Sequence, residues 1–191
     1  MASSDRFRLS RDAVAFVVID CQDRLLAAME RDVSKKVTGN IQLLIKLAKL
    51  IKIPLIVTEQ YSRGLGLTKK VLVETLGDSY QPVEKISFSC CRNRAFLEEL
   101  ESFKVEHLVL VGLEMHVCVL QTTLDLISAG YTVSVVNDAV CSRYKSDWQT
   151  GLKIADQAGA VVSSTEIIIF QLLGEACTAE FKIMSPLLKQ K

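Results

Sequence analysis

Neither sign of charge is in excess in this chain: 23 lysines and arginines stand against 22 aspartates and glutamates, a net charge of +1. That balance gives no electrostatic footprint for nucleic acid or an anionic membrane surface. Nor is there a basic, aromatic-interleaved stretch of the kind that stacks single strands. Neither nucleic acid nor membrane is therefore expected as a partner. Histidine is scarce, with His107 and His116 the only two, too few for a three-ligand histidine site. The six cysteines (Cys21, Cys90, Cys91, Cys118, Cys141 and Cys177) include no CxxC pair that would suggest zinc. In a chain of 191 residues they are also too dilute for a disulfide framework. Reduced thiols and a cytoplasmic location fit best. No apolar stretch is long and uninterrupted enough to span a bilayer, and the N-terminal MASSDRFRLSR lacks an apolar signal-peptide core. Its Ser/Arg content hints at an organellar transit peptide, against which Asp5 and the brevity of the segment both argue. Internal repeats, low-complexity tracts and linkers are absent from the sequence.

What is present reads as an ordinary globular chain, 49% apolar and 24% charged, of a length suited to one domain over residues 1–191. Short apolar runs rich in β-branched residues, at 13–19, 54–58, 107–111, 132–136 and 160–163, alternate with longer stretches of helical spacing. Ile41, Leu44, Ile45, Ala48 and Ile51 mark one helical face ending before Pro54. Residues 93–103 and 118–129 predict two further helices, the second stopped by Gly130. Ser146 with Gln149, and Ser163 with Glu166, have capping-box spacing and predict two more helix starts. This alternation predicts a three-layer α/β/α Rossmann-like domain: a central, mainly parallel sheet with helices on both faces. Residues 59–92 are the least regular part and are expected to supply loops over the site.

In such a sheet ligands bind beyond the carboxyl ends of the strands. Asp20 leaves the first strand there, as a reactive carboxylate or as a helix or turn cap. Lys85, in PVEKISFSC, is either a functional ammonium or a solvated surface lysine. Cys118 follows the strand ending at Gly112 and a five-residue connection, and begins a helix. Helix N-terminal dipoles and a nearby lysine would favour its thiolate, so it suits a nucleophile with a depressed pKa. The alternative is a buried structural cysteine.

Three segments, VVIDCQ, VEKISFS and GLEMHVCVLQTTLDLISAGYTVSVVNDAV, together resemble the isochorismatase-like cysteine hydrolase superfamily across nearly the whole chain. VTEQYSRGLGLT and the E-x-H-x-C pattern at Glu114, His116 and Cys118 are most similar to the animal-type isochorismatase-domain proteins. The resemblance implies a Rossmann-like fold, self-association into a homo-oligomer, and an Asp-Lys-Cys catalytic set mapping onto Asp20, Lys85 and Cys118. It further implies an oxyanion hole from the backbone N–H groups of Glu114 and Cys118, and a non-proline cis peptide at Leu113–Glu114. Asp20 would take the thiol proton, Lys85 would favour the resulting anions, and a thioester-type intermediate would hydrolyse.

The pattern departs from its relatives in one informative place. Nicotinamidases of this superfamily bind a metal through an Asp-x-His pair after the second strand and a later histidine. The matching segment here is Thr58-Glu59-Gln60-Tyr61, and His107 reads as structural. Neither metal nor other cofactor is expected, and metal-assisted nicotinamide deamidation is not. A retained cysteine points to amide, imide or related C–N bonds in a small-molecule substrate rather than to the vinyl ether of true isochorismatases. Tyr61, Phe88, Leu113 and Met115 are candidates for an apolar pocket wall, and Gln22 and Glu59 for polar substrate contacts. His116 is a further candidate contact, or a loop histidine satisfied by backbone. The rival from another class is a binding or thiol-sensing module that keeps the hydrolase fold.

Overall fold

The computed structural model describes residues 4–189; the ends of the expected 1–191 span, including the first three residues of the N-terminal segment, lie outside the described residues. In chain order the elements are β1 (Val14–Ile19), α1 (Asp23–Ala27), α2 (Arg31–Leu50), β2 (Leu55–Gln60), α3 (Ser62–Leu65), α4 (Lys70–Leu76), β3 (Val83–Lys85), α5 (Arg94–Phe103), β4 (His107–Leu113), α6 (Leu120–Ser128), β5 (Thr132–Cys141), α7 (Lys145–Gln157), β6 (Val161–Ser163), α8 (Thr165–Leu173) and α9 (Ala179–Leu188). The strands form a sheet of order β3-β2-β1-β4-β5-β6 in which every pairing is parallel.

Because side chains alternate across a strand, each central strand feeds two cores. Val14, Phe16 and Val18 of β1 join one cluster with α2, α8 and α9, including Ile41, Leu44, Ile45 and Ile168. Ala15, Val17 and Ile19 join the opposite cluster, with Phe96 and Leu100 of α5 and Leu126 of α6. Burial on both faces explains why β1 and β4 read as continuous apolar runs rather than alternating ones. The fold is thus the three-layer α/β/α arrangement expected.

Several expected details are corrected. The short helices α3 and α4 and the strand β3 interrupt the region expected to be loop; at three residues β3 is too short to carry a periodic signal. Ser146 does not cap α7, whose N-cap is Tyr144. The cap of α8 is Ser164, one residue after the expected Ser163, and its hydroxyl accepts from Ile167 N. Ser163 instead ends β6, buried. The helix α9 has no counterpart among the expected elements.

Two backbone features shape the crevice between β1 and β4, where the strand order reverses. At Gly112 (φ 121°) the β4–β5 register shifts between Leu110 and Gly112. A Cβ there would stand 2.0 Å from the Ile19 carbonyl oxygen, so only glycine lets β4 pass β1 this closely. Next, the Leu113–Glu114 peptide is cis, as the resemblance implies.

Candidate active site

Asp20 follows β1 with φ 49°, a left-handed conformation that aspartate tolerates better than most residues. Its N–H is tied to the Thr58 carbonyl at 3.1 Å. Gln60 and Lys85 are register partners across β2 and β3, so their side chains stand side by side. The result is a closed polar cluster at the carboxyl ends of the strands. Lys85 Nζ donates to Asp20 Oδ2 at 2.6 Å, Gln60 Oε1 at 2.8 Å, and the carbonyls of Phe88 at 3.1 Å and Ser87 at 3.3 Å. Thr58 Oγ1 donates to Asp20 Oδ1 at 2.7 Å. Both side chains of the Asp20–Lys85 ion pair are 0% exposed. Neither the cap reading of Asp20 nor the surface reading of Lys85 survives.

Cys118 joins this pair, its thiol next to the Asp20 carboxylate and under the influence of both charges. It does not begin a helix: β4 extends to Leu113, and Met115–Val119 forms a wide π-type turn that runs into α6. At 5% exposure the residue is largely buried. Burial, then the Asp20 charge, push the Cys118 thiol well above its ordinary value, and Lys85 only partly opposes them. The expected depressed pKa is therefore corrected: the resting side chain is a neutral thiol poised on a base. For Lys85 burial favours the neutral form, but the Asp20 charge and hydrogen bond outweigh it and raise the pKa, so the ammonium persists.

The other candidates separate. Gln22 is wholly buried and braces the backbone, donating to Gln60 O (3.0 Å) and Gly66 O (2.6 Å) and accepting from Gln60 N (2.8 Å). Glu59 points to the opposite side of β2, where Oε1 accepts from Thr68 N, Thr68 Oγ1 and Tyr80 OH at 2.6, 2.8 and 2.7 Å. Leu113 and Met115 are fully buried, one in each core. Tyr61 and Phe88 are half exposed, at 50% and 54%. His116 bonds Ser142 Oγ at 2.9 Å through Nδ1, with Asp147 3.8 Å from Nε2, so its partners are side chains and not backbone. Glu114 turns its carboxylate to Arg143, accepting from the backbone N at 3.1 Å and Nε at 3.0 Å.

Thr58 and Gln60 were missed as site residues. Their positions alternate on one strand face, but the signal needs β3 alongside, and a three-residue strand has no periodic signature of its own. A metal does not fit the 58–61 segment: Gln60 is committed to Lys85 and Ile86 O, and Glu59 to Thr68 and Tyr80. Among the described residues no three His, Cys, Asp or Glu side chains gather as a metal site.

The isochorismatase domain family model matches residues 14–167. The chain belongs to the isochorismatase family. It is 38% identical over 149 residues to isochorismatase domain-containing protein 2 of Homo sapiens, covering 77% of this chain and 70% of that one. A solved structure described as MAR1 ribonuclease from Caenorhabditis elegans superposes with a TM-score of 0.87 at 37% identity, covering 95% of this chain and 92% of that one. An octameric hydrolase of unknown specificity from Escherichia coli shares the fold, with a TM-score of 0.81 at 21% identity and coverage of 96% and 98%. The isochorismatase-family assignment supports a hydrolase.

Proposed function

We propose that the chain is a cofactor-free cysteine hydrolase acting on an amide-like C–N bond of a small molecule. The observation that carries this reading is the wholly buried Asp20–Lys85 ion pair with the buried Cys118 thiol next to its carboxylate. Asp20 takes the thiol proton as sulfur attacks the carbonyl carbon, so the costly buried thiolate forms only as it is consumed. Lys85, held by four acceptors, keeps its proton and offsets the negative charge. The backbone N–H groups of Glu114 and Cys118 receive the oxyanion. Asp20 then returns its proton to the departing nitrogen, leaving a thioester on Cys118. Water, deprotonated by Asp20, cleaves it to a carboxylic acid and free thiol. Tyr61, Phe88 and His116 remain as the substrate-facing candidates.

The test is a metabolite-mixture screen comparing wild type with Cys118→Ala. A compound consumed by wild type and untouched by the variant supports the reading; consumption by both at similar rates sinks it. RNA belongs in the panel because of the relative described as a ribonuclease. RNA cleavage that survives Cys118→Ala would favour that second activity. Self-association, as in the octameric hydrolase of this fold, and a cytoplasmic setting complete the proposal. Light scattering after size exclusion checks the first: a mass above that of one 21.2 kDa chain is expected.

A further inference from the structure

Cys90 has no role in this mechanism, yet it borders the same ion pair. Its backbone N–H donates to Thr122 Oγ1 at 3.0 Å, and Thr122 lies one helical turn beyond Cys118. The neighbouring Ser89 hydroxyl donates to Asp125 Oδ2 of the same helix at 2.6 Å, so this loop is fastened to α6 at two points. The Cys90 thiol donates to Thr58 Oγ1 at 3.9 Å, and Thr58 donates to Asp20 Oδ1 at 2.7 Å. Asp20 is also the partner of the Cys118 thiol. Two free thiols thus converge on one carboxylate, one directly and one through a hydroxyl that can relay a proton. Burial and the Asp20 charge keep Cys90 protonated, its pKa pushed up to about 11.

We propose that Cys90 is a resolving thiol, which forms a reversible disulfide with Cys118 once a hydroperoxide has oxidised Cys118. The inference rests on the reading of Cys118 as a thiol that passes its proton to Asp20. In the first step the Cys118 sulfur attacks the terminal peroxide oxygen and the O–O bond breaks. The leaving alkoxide or hydroxide takes the proton from Asp20, and Cys118 is left as sulfenic acid. In the second step Cys90 gives its proton through Thr58 to Asp20 and attacks the Cys118 sulfur. The S–O bond breaks, water departs with that proton, and an S–S bond forms. Two thiols are oxidised, one hydroperoxide is reduced, and the nucleophile is shielded from irreversible over-oxidation.

The experiment treats full-length protein with hydrogen peroxide, digests it without reductant and maps the peptides by mass spectrometry. The expected product is a linked Cys90–Cys118 peptide pair, two hydrogens lighter than the sum of the free peptides. Dithiothreitol should remove the link and restore iodoacetamide labelling of Cys118. In Cys90→Ala and Cys90→Ser that labelling should be lost and not recovered, with Cys118 found as sulfinic acid. A wild-type Cys118 that stays unoxidised, goes directly to sulfinic acid, or pairs with Cys91 instead would overturn the proposal. Because no substrate is involved, a linked pair in a protein that hydrolyses no amide would sink only the hydrolase reading. Active protein without the link would sink only this one.

Discussion

Asp20 and Lys85 hold opposite charges with no access to solvent, so replacing either leaves the other stranded. Removing one partner of such a pair typically costs about 3–5 kcal/mol. Asp20→Asn and Lys85→Met should each lower stability in urea unfolding by that order, and the double variant should lose clearly less than the sum. Additive losses would show that the two groups do not depend on each other. The Cys118 thiol makes a separate point. With its pKa raised by burial and by Asp20, its alkylation rate should still be climbing above about pH 9, near the ordinary thiol value. A plateau reached below pH 7 would mean a thiolate at rest. The grouping of Asp20, Lys85 and Cys118 was legible in the sequence because each belongs to an ordered motif. The protonation of Cys118 was not, because it follows from burial and from the carboxylate that the fold brings to it, and neither has a local signature.

At the scale of elements, the crevice depends on β4 crossing close to the end of β1. Gly112→Ala would drive a methyl onto the Ile19 carbonyl at 2.0 Å in a backbone region that alanine rarely adopts. A loss of more than about 3 kcal/mol in chemical unfolding, or failure to accumulate folded protein, is expected. A variant as stable as wild type would mean the strands can part without harm. The long buried strands and α2 announced themselves, since continuous apolar runs and a three-four repeat survive any context. The short β3 and the π-type turn at Met115–Val119 did not, because both are imposed by neighbours: β3 by pairing with β2, the turn by the strand that precedes it. The cap of α8 falls one residue beyond the expected Ser163, since Ser163 and Ser164 are adjacent and only the fold says which leaves the strand.

Across the whole molecule, burial of titratable groups sets how stability depends on pH. Burial lowers the His107 pKa to about 4, its Nε2 lying 2.8 Å from Ser134 Oγ. The unfolded chain binds that proton more readily, so this contribution is present above the ordinary pKa of 6.5 and is lost as pH falls toward 4. It is worth about 3 kcal/mol, and His107→Gln should flatten the acid side of a thermal-melt profile. An unchanged acid limb would refute the assignment. At the alkaline side the sign reverses. Cys90, Cys91 and Cys141 are raised to about 11, 12 and 12, and Cys21 and Cys118 are also raised, so the unfolded state releases these protons first. Their contribution is whole below about pH 9 and is lost as pH rises toward 11–12, which melts taken under reductant should show as a falling midpoint.

The central claim, that Cys118 attacks the substrate with Asp20 and Lys85 acting on it as one unit, is tested most directly by trapping the enzyme during turnover. Acid quenching of wild type with whichever amide the metabolite screen yields, followed by intact-mass and peptide analysis, should find the acyl group on Cys118. Turnover should be abolished in Cys118→Ala, and Asp20→Asn/Cys118→Ala should be no slower than Cys118→Ala alone. An enzyme that keeps its turnover within a few-fold after Cys118→Ala, or that carries the acyl group on another residue, would contradict the account.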